Sequence, residues 1–225
     1  MMIMTTDTIA VFGALFSPFV RKVHVVVAEK GIAVEMLPGN GPNASPDFVA
    51  ASPFRKIPAM THGDYSLADS TAIAMYLDAL QPAPAIYPVE ARARGRAVFF
   101  EEFADTVLAA AGGKVVFNRV VKPRFLKLES DEEAVSQGLA ELVPLMAWFE
   151  GVAPAPDSDA GWLVDGGFSI ADISVASVFT TLAYGGVVTD AATHPRSAAW
   201  LACVQSRPAW QAVAAREAEA MKGFV

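Results

Sequence analysis

The apolar residues keep two different periods along the chain, and the change from one to the other divides it. Residues 8–12 are almost continuously apolar, as a strand buried on both faces is. Pro18 stands where the first turn of a helix accepts proline, a helical stretch runs on to Lys30, and Gly31 supplies a left-handed stop. A short strand at 34–37 follows, then a loop at 38–46 rich in Gly, Pro, Asn and Ser. After a short helix near 47–51, strand runs at 57–62 and 65–68 flank Gly63-Asp64, a two-residue hairpin signal. Residues 70–80 carry Ile73, Ala74, Leu77 and Leu80 at helical spacing. The predicted order is βαβ, short helix, ββα, in which the βαβ unit demands a parallel pair with a right-handed crossover.

Past residue 80 the strand signals fade. Gln81-Pro82-Ala83-Pro84-Ala85-Ile86-Tyr87-Pro88 reads as a linker between separately packed units. Helices are predicted over 92–111, 131–151, 170–184 and 197–220, with a Pro/Gly/Asp loop at 152–161. Ser169-Ile170-Ala171-Asp172 has the spacing of a capping box, with Asp in place of the usual Glu or Gln, and Phe168 can pack on Ile173 as a hydrophobic staple. The division is therefore 1–80, a linker at 81–91, and an all-helical unit at 92–225.

Composition narrows the class. With 225 residues, 53% of them hydrophobic and 18% charged, the chain has ample apolar surface for a core and is not disordered. A net charge of -7 argues against a generic phosphate-backbone binder. One basic run interrupts the acidic background: Lys114, Arg119, Lys122, Arg124 and Lys127, with no acid between Asp105 and Glu129. It is either a solvated helix face or a contact for an anion or acidic partner. The apolar stretches at 9–16 and 173–188 read as a buried strand and a helix buried all round, since a spanning helix needs roughly 20 residues. No membrane role is expected.

The single cysteine, Cys203, rules out an internal disulfide or a Cys-x-x-Cys pair, and its apolar neighbours suggest a buried thiol. His24, His62 and His194 show no metal-binding spacing, so no metal is expected. Three local features carry chemistry instead. Ser17-Pro18-Phe19 lies at a strand-to-helix junction, where Ser17 is either a helix cap or a donor to an anion that the helix amides also stabilise. Lys56-Ile57-Pro58 enters an interior strand through a proline, which suggests a cis peptide and a backbone donor and acceptor open to an extended peptide. Asp69-Ser70, at another strand-to-helix junction, offers an acceptor and a donor suited to an amino acid head group, or simply a cap. Asp172 is explained by its capping role.

Taken in order, Ser17-Pro18-Phe19, Ser52-Pro53-Phe54-Arg55-Lys56-Ile57-Pro58, Leu67-Ala68-Asp69-Ser70, the linker, Phe103-Ala104-Asp105-Thr106, Phe168-Ser169-Ile170-Ala171-Asp172 and Arg207-Pro208-Ala209-Trp210 resemble the glutathione S-transferases over almost the whole chain. The resemblance implies an α/β thioredoxin-like N-terminal domain followed by an all-α helical domain, in a cytoplasmic homodimer that uses glutathione as co-substrate for detoxification. It implies Ser17 as the catalytic group, at the position that holds Ser in some classes and Cys in others. It assigns glutathione binding to Phe19, Lys56, Ile57, Pro58, Asp69 and Ser70, where Asp69 replaces the commoner Glu or Gln. Ser52, where the family often has Asn, is a loop residue. Phe16, Phe103 and Phe117 could line the pocket for a small apolar electrophile.

With no Tyr before Tyr65 and no Cys before Cys203, the family's tyrosine and mixed-disulfide chemistries are disfavoured. Serine remains as a hydrogen-bond donor to the thiolate of glutathione. Other reactions open to that thiolate are ether cleavage, dehalogenation, isomerisation and peroxide reduction, and a glutathione-binding module without turnover is a further reading.

Overall fold

The computed structural model describes residues 8–39, 44–155 and 161–222. Strand β1 (Ile9–Phe12) is buried throughout, as a strand covered on both faces must be. Helix α1 (Pro18–Lys30) begins on its proline and ends at Gly31, whose φ of 64° lets its N–H turn back to the Ala28 carbonyl. Strand β2 (Val34–Leu37) then pairs parallel to β1. Helix α2 (Pro46–Ala51), capped by the Ser45 hydroxyl, lays Phe48 against Phe12 on one face of the sheet, with ring centroids 5.9 Å apart. Strands β3 (Ala59–His62) and β4 (Tyr65–Ala68) form the predicted hairpin, turning at Gly63 with φ 60°. Helix α3 (Ser70–Leu80) closes this half. The third strand begins two residues later than the apolar run at 57–62 suggested, because Pro58 has no N–H for the ladder; the Ile57-Pro58 peptide is cis.

The sheet order is β2-β1-β3-β4, with β3 antiparallel to both of its neighbours. Register then decides where the chemistry can gather. Phe12 pairs with Leu37 on one side and Ala59 on the other, and Ala59 pairs with Ala68. The exits of β1, β2 and β4 and the entry of β3 therefore share one end of the sheet, and Ser17, Ile57-Pro58 and Asp69-Ser70 all follow or precede it by a few residues.

The remainder is helical, as expected, with two differences in detail. The helix predicted at 92–111 continues to residue 126: α4 (Ala91–Glu102), a π-helical segment (Phe103–Leu108), α5 (Ala109–Val116) and a second π-helical segment (Phe117–Leu126) that ends at Lys127, φ 58°. Gly112, which looks like a stop in sequence, is instead a point of close approach, since a Cβ there would lie 2.3 Å from Leu182 Cδ2. Helices α6 (Glu132–Val152) and α7 (Ile170–Tyr184) follow, the latter buried on nearly every side. The single helix predicted at 197–220 is two, α8 (Pro195–Gln205) and α9 (Pro208–Met221). Pro208 forces Arg207 out of the helical region, to φ -64°, ψ 138°, and restarts the chain at a new first turn.

The larger of two apolar clusters runs from Val11 on β1 through Val23 on α1 and Ile73 on α3 to Phe100 on α4 and Ile173 on α7, and the smaller joins Phe12, Phe48, Ala51 and Ala59. At the head of α7 the capping box forms: Asp172 accepts from the Ser169 N–H, and its other oxygen accepts from Leu163 N–H and Trp200 Nε1. Burial pushes the Asp172 carboxyl up to about 6. Parts of the loops at 38–46 and 152–161 lie outside the described residues. Among the described residues no helix is long and apolar enough to cross a membrane.

Candidate active site

Ser17 occupies the N-cap position of α1 in extended backbone, φ -68° and ψ 129°, yet its side chain makes no capping hydrogen bond. Its N–H goes to the Ala14 carbonyl and its own carbonyl receives Arg21 N–H, so the backbone is held while the hydroxyl is left over. Pro18 brings no N–H, and the next amides of a first helical turn have no intrahelical partner. A half-buried hydroxyl at the positive end of the helix dipole is thus available to a negatively charged atom. The loop ahead of it is pinned by Gly13, which donates to Leu37 and packs so closely that a Cβ would lie 2.4 Å from Val20 Cγ2.

Across the sheet end, the ladder starts at Ala59, and the N–H and carbonyl of Ile57 form no hydrogen bond among the described residues. Lys56 is exposed, and Ser52 locks its backbone by accepting from Lys56 N–H (2.9 Å) and donating to its carbonyl (2.7 Å), the loop role expected of Ser52. Asp69 caps α3: Oδ1 accepts from Thr71 and Ala72 N–H at 2.9 and 3.1 Å. Its φ of 82° is rare for a residue with a Cβ and costs on the order of 1–3 kcal/mol. Ser70 beside it is buried, with no hydrogen-bond partner for its hydroxyl among the described residues.

Behind Ser70, Thr71 joins a buried cluster that sequence reasoning missed. Lys22 Nζ donates to Thr71 Oγ1 (3.1 Å) and Glu101 (3.0 Å) and pairs with Asp105, while Tyr87 OH donates to Glu101 (3.0 Å). Burial raises the Asp105 carboxyl although Lys22 opposes it, and burial followed by the Glu101 charge raises the Tyr87 phenol. Lys22, beside Arg21 in a helix otherwise rich in valine, and Asp105 in the Phe103-Ala104-Asp105-Thr106 motif are the sequence signals of this cluster.

Ser17 and Ile57 both border a cavity of about 1040 Å³. Its far wall comes from the second π-helical segment (Phe117, Val121, Phe125, Leu126), from Thr181 and Leu182 on α7, and from Glu217 and Met221 on α9. Phe16, next to Ser17, lies between Phe125 and Tyr184, with ring centroids 5.7 and 5.1 Å away. Its carbonyl accepts from Thr181 Oγ1 (3.2 Å), which in turn accepts from Arg21 Nη1 (2.7 Å). Arg21 also donates to the Ser177 carbonyl and makes a two-point contact with Glu217, which receives the Tyr184 hydroxyl at 3.0 Å. Burial and the Glu217 charge push the Tyr184 phenol up to about 12. Helices α7 and α9 thereby grip the loop that carries Ser17.

Of the residues suggested for the site, Ser17, Phe16, Phe19, Phe117 and Ile57 border this cavity. Pro58 and Ser70 are buried nearby at the same sheet end, and Asp69 and Lys56 stand exposed there. Phe103 corrects the expectation: it does not border the cavity but packs in the core against Trp148 and Phe149, at 4.8 and 6.3 Å. Cys203 is a second correction, since it is exposed on α8 while Val204 turns inward. His24 is buried on α1 with neither ring nitrogen hydrogen-bonded, and burial, helped by Arg216, lowers it to about 4. Among the described residues no group of three His, Cys, Asp or Glu side chains could hold a metal.

Comparison with known proteins bears on this arrangement. Residues 11–85 match the family model "Glutathione S-transferase, N-terminal domain". A glutathione S-transferase of Hyoscyamus muticus is 26% identical over 88% of this chain and 93% of its own length. A glutathione S-transferase structure from Rhodospirillum rubrum F11 has 22% identity and a TM-score of 0.80, covering 92% of this chain and 91% of that one. A theta class glutathione S-transferase from Xanthomonas axonopodis pv. citri, solved with glutathione bound, has 24% identity and a TM-score of 0.77 over 92% of this chain and 97% of its own. These two structures share the fold, a thioredoxin-like sheet domain followed by an all-helical one. Residues 11–85 form a glutathione S-transferase N-terminal domain, and the similarity of sequence to glutathione S-transferases along nearly the whole chain points the same way as the sheet end just described.

Proposed function

We propose that this protein is a glutathione transferase in which Ser17 donates a hydrogen bond to the glutathione thiolate and the adjoining cavity receives a small apolar electrophile. The observation that carries this reading is the Ser17 hydroxyl, which caps nothing, at the start of α1 and on the cavity border. A free thiol with a pKa near 8.5 is only a few per cent ionised at pH 7, and lowering it by about two units needs roughly 2.7 kcal/mol. One charge-assisted hydrogen bond at ~1.5–3 kcal/mol, together with the helix dipole, is enough. The thiol proton leaves to solvent, the sulfur lone pair forms the new bond to carbon, and a displaced group departs with its bonding pair.

Glutathione would lie along the sheet end, with Ile57 pairing its cysteinyl backbone beside Pro58, and Asp69 and Ser70 receiving the γ-glutamyl ammonium and carboxylate. Phe19 would flank it, and Lys56 would meet the glycyl carboxylate. The division at 81–91 would separate this half from the helical one that supplies the electrophile pocket through Phe117, with Phe16 facing it. The Ser70 hydroxyl without a partner and the strained backbone of Asp69 support that placement. A cytoplasmic homodimer is part of the proposal. Phe54 at 84% exposure, with Tyr65, Met75 and Phe99 also exposed, provides apolar surface for a second copy.

The test is capture on immobilised glutathione, followed by product analysis with a panel of aryl halides and enones. A glutathione conjugate is expected; binding without thiol consumption would favour a non-catalytic module, and no binding would end the reading. Sedimentation velocity checks the dimer.

A further inference from the structure

Among the described residues three glycines border the cavity, Gly13, Gly112 and Gly113, and the packing of the protein itself explains two of them. A Cβ on Gly13 would lie 2.4 Å from Val20 Cγ2, and one on Gly112 would lie 2.3 Å from Leu182 Cδ2. Gly113 is different. It lies inside α5 with an ordinary right-handed backbone, and a Cβ built on it would meet no atom within 4 Å. Neither conformation nor crowding therefore asks for glycine there, although every residue except proline makes a better helix. Gly95 in α4 is equally open, but it does not border the cavity. The residues of α5 that do, Ala109, Gly112, Gly113 and Val116, recur at helical spacing on one face. Over the middle of that face the cavity reaches the helix backbone, whereas the next stretch of wall is built from large side chains such as Phe117 and Phe125. The polar side chains on the border are Ser17, Thr181 and Glu217. Thr181 is engaged by Arg21 and the Phe16 carbonyl, and Glu217 by Arg21 and Tyr184, which leaves the Ser17 hydroxyl alone.

We infer that Gly113 is a specificity-determining residue: its missing side chain leaves a slot along α5 that admits the further rings of a flat, uncharged, fused-ring electrophile. A side chain at this position narrows the cavity to single-ring compounds. The inference rests on the proposed transferase function for the reaction and on the cavity alone for the binding. A helix face stripped to its backbone is a shallow apolar floor, and a flat ring gains more dispersion contact on it than a branched chain does. The ligand is uncharged because Thr181 and Glu217 are already satisfied within the protein, so a charged group brought to them would lose water and find no partner. Helix stability and ligand width thus make opposite demands on residue 113, and the two can be measured separately.

The experiment compares benzyl chloride with 9-(chloromethyl)anthracene, which share a leaving group and a reacting carbon and differ by two fused rings. In each, the thiolate sulfur bonds to the benzylic carbon as chloride leaves with its bonding pair. The full chain is assayed as wild type, Gly113→Ala, Gly113→Leu and Gly95→Ala, with circular dichroism to verify that each is folded. The ratio of kcat/KM for the anthracene to that for benzyl chloride should fall about threefold in Gly113→Ala and about thirtyfold in Gly113→Leu. Benzyl chloride itself should stay within about twofold of wild type. Both alanine variants should melt about 2–4 °C higher, so Gly95→Ala separates the gain in helix stability from the change in specificity. A ratio that Gly113→Leu leaves intact, or one that Gly95→Ala moves equally, would overturn the inference. Binding of 9-methylanthracene without glutathione, followed by its fluorescence, tests the slot apart from the chemistry and should weaken about tenfold in Gly113→Leu. No binding by the wild type would also overturn the inference. If neither chloride is conjugated while this weakening is seen, the transferase reading falls and the slot stands. Conjugation with an unchanged ratio does the reverse.

Discussion

Ser17 tests the proposed chemistry at the level of one oxygen atom. Ser17→Ala removes a donor worth ~1.5–3 kcal/mol to a thiolate, so kcat/KM should fall roughly 10- to 150-fold. The pKa of bound glutathione, followed by thiolate absorbance, should rise by about one to two units; an unchanged pH profile would remove Ser17 from the mechanism. His24 makes a prediction of a different kind. Its ring is kept neutral down to about pH 4 in the folded protein but takes a proton near 6.5 when unfolded. The unfolded chain then binds more protons between those values, so stability is present above 6.5 and lost as pH falls towards 4. Asp172, raised to about 6, acts in the opposite sense, stabilising at low pH and less so as pH rises through 6. The His24→Leu variant should therefore gain in melting temperature over the wild type as pH drops from about 6.5 to about 4.5, and a constant difference across that range would refute the assignment. Ser17, Asp69 and Ser70 could be read in the sequence because strand-to-helix junctions announce themselves locally. Cys203 could not, since apolar neighbours in sequence do not say which side of a helix turns outward.

Elements show the same boundary between local and distant information. Proline and glycine placed α1 and the hairpin within a residue or so, because each acts on the backbone next to it. The same rule, applied at Pro208, would have divided α8 from α9. The π-helical segments were not legible, as a ring closed between residues i and i+5 leaves no separate mark in the apolar period. Thr181 was equally hidden, being 165 residues from the Phe16 carbonyl that it holds. Thr181→Val keeps the shape of α7 and releases that loop. We expect kcat to fall about three- to tenfold and the pH profile to move upward, with glutathione affinity within about twofold of wild type and a stability loss of about 1 kcal/mol. A loss of stability alone would make Thr181 a packing residue and nothing more.

At the scale of the molecule, the two halves are joined through one buried and one half-buried charge pair. Arg21 on α1 meets Glu217 on α9 with both side chains 4% exposed or less, and Arg207 meets Glu29 while lying over the Phe168 ring at 3.8 Å. Arg21→Met strands a buried carboxylate and should cost about 3–5 kcal/mol, whereas adding Glu217→Leu should restore most of it. Urea midpoints of the single and double variants decide this; equal losses in both would mean that the pair is not coupled.

The second π-helical segment has a further consequence for how such a cavity changes over generations. Its wide turns aim Phe117, Val121, Phe125 and Leu126 at one space. Deleting a single exposed residue from it, such as Arg124, with the winding unchanged, would swing everything beyond the deletion by about 80°, one residue's share of a wide turn. Phe125 and Leu126 would then leave the wall with no substitution at either position. The choice of ligand is thus written partly in the count of residues between Val116 and Lys127, so that a deletion of one codon can retune it as far as several point mutations.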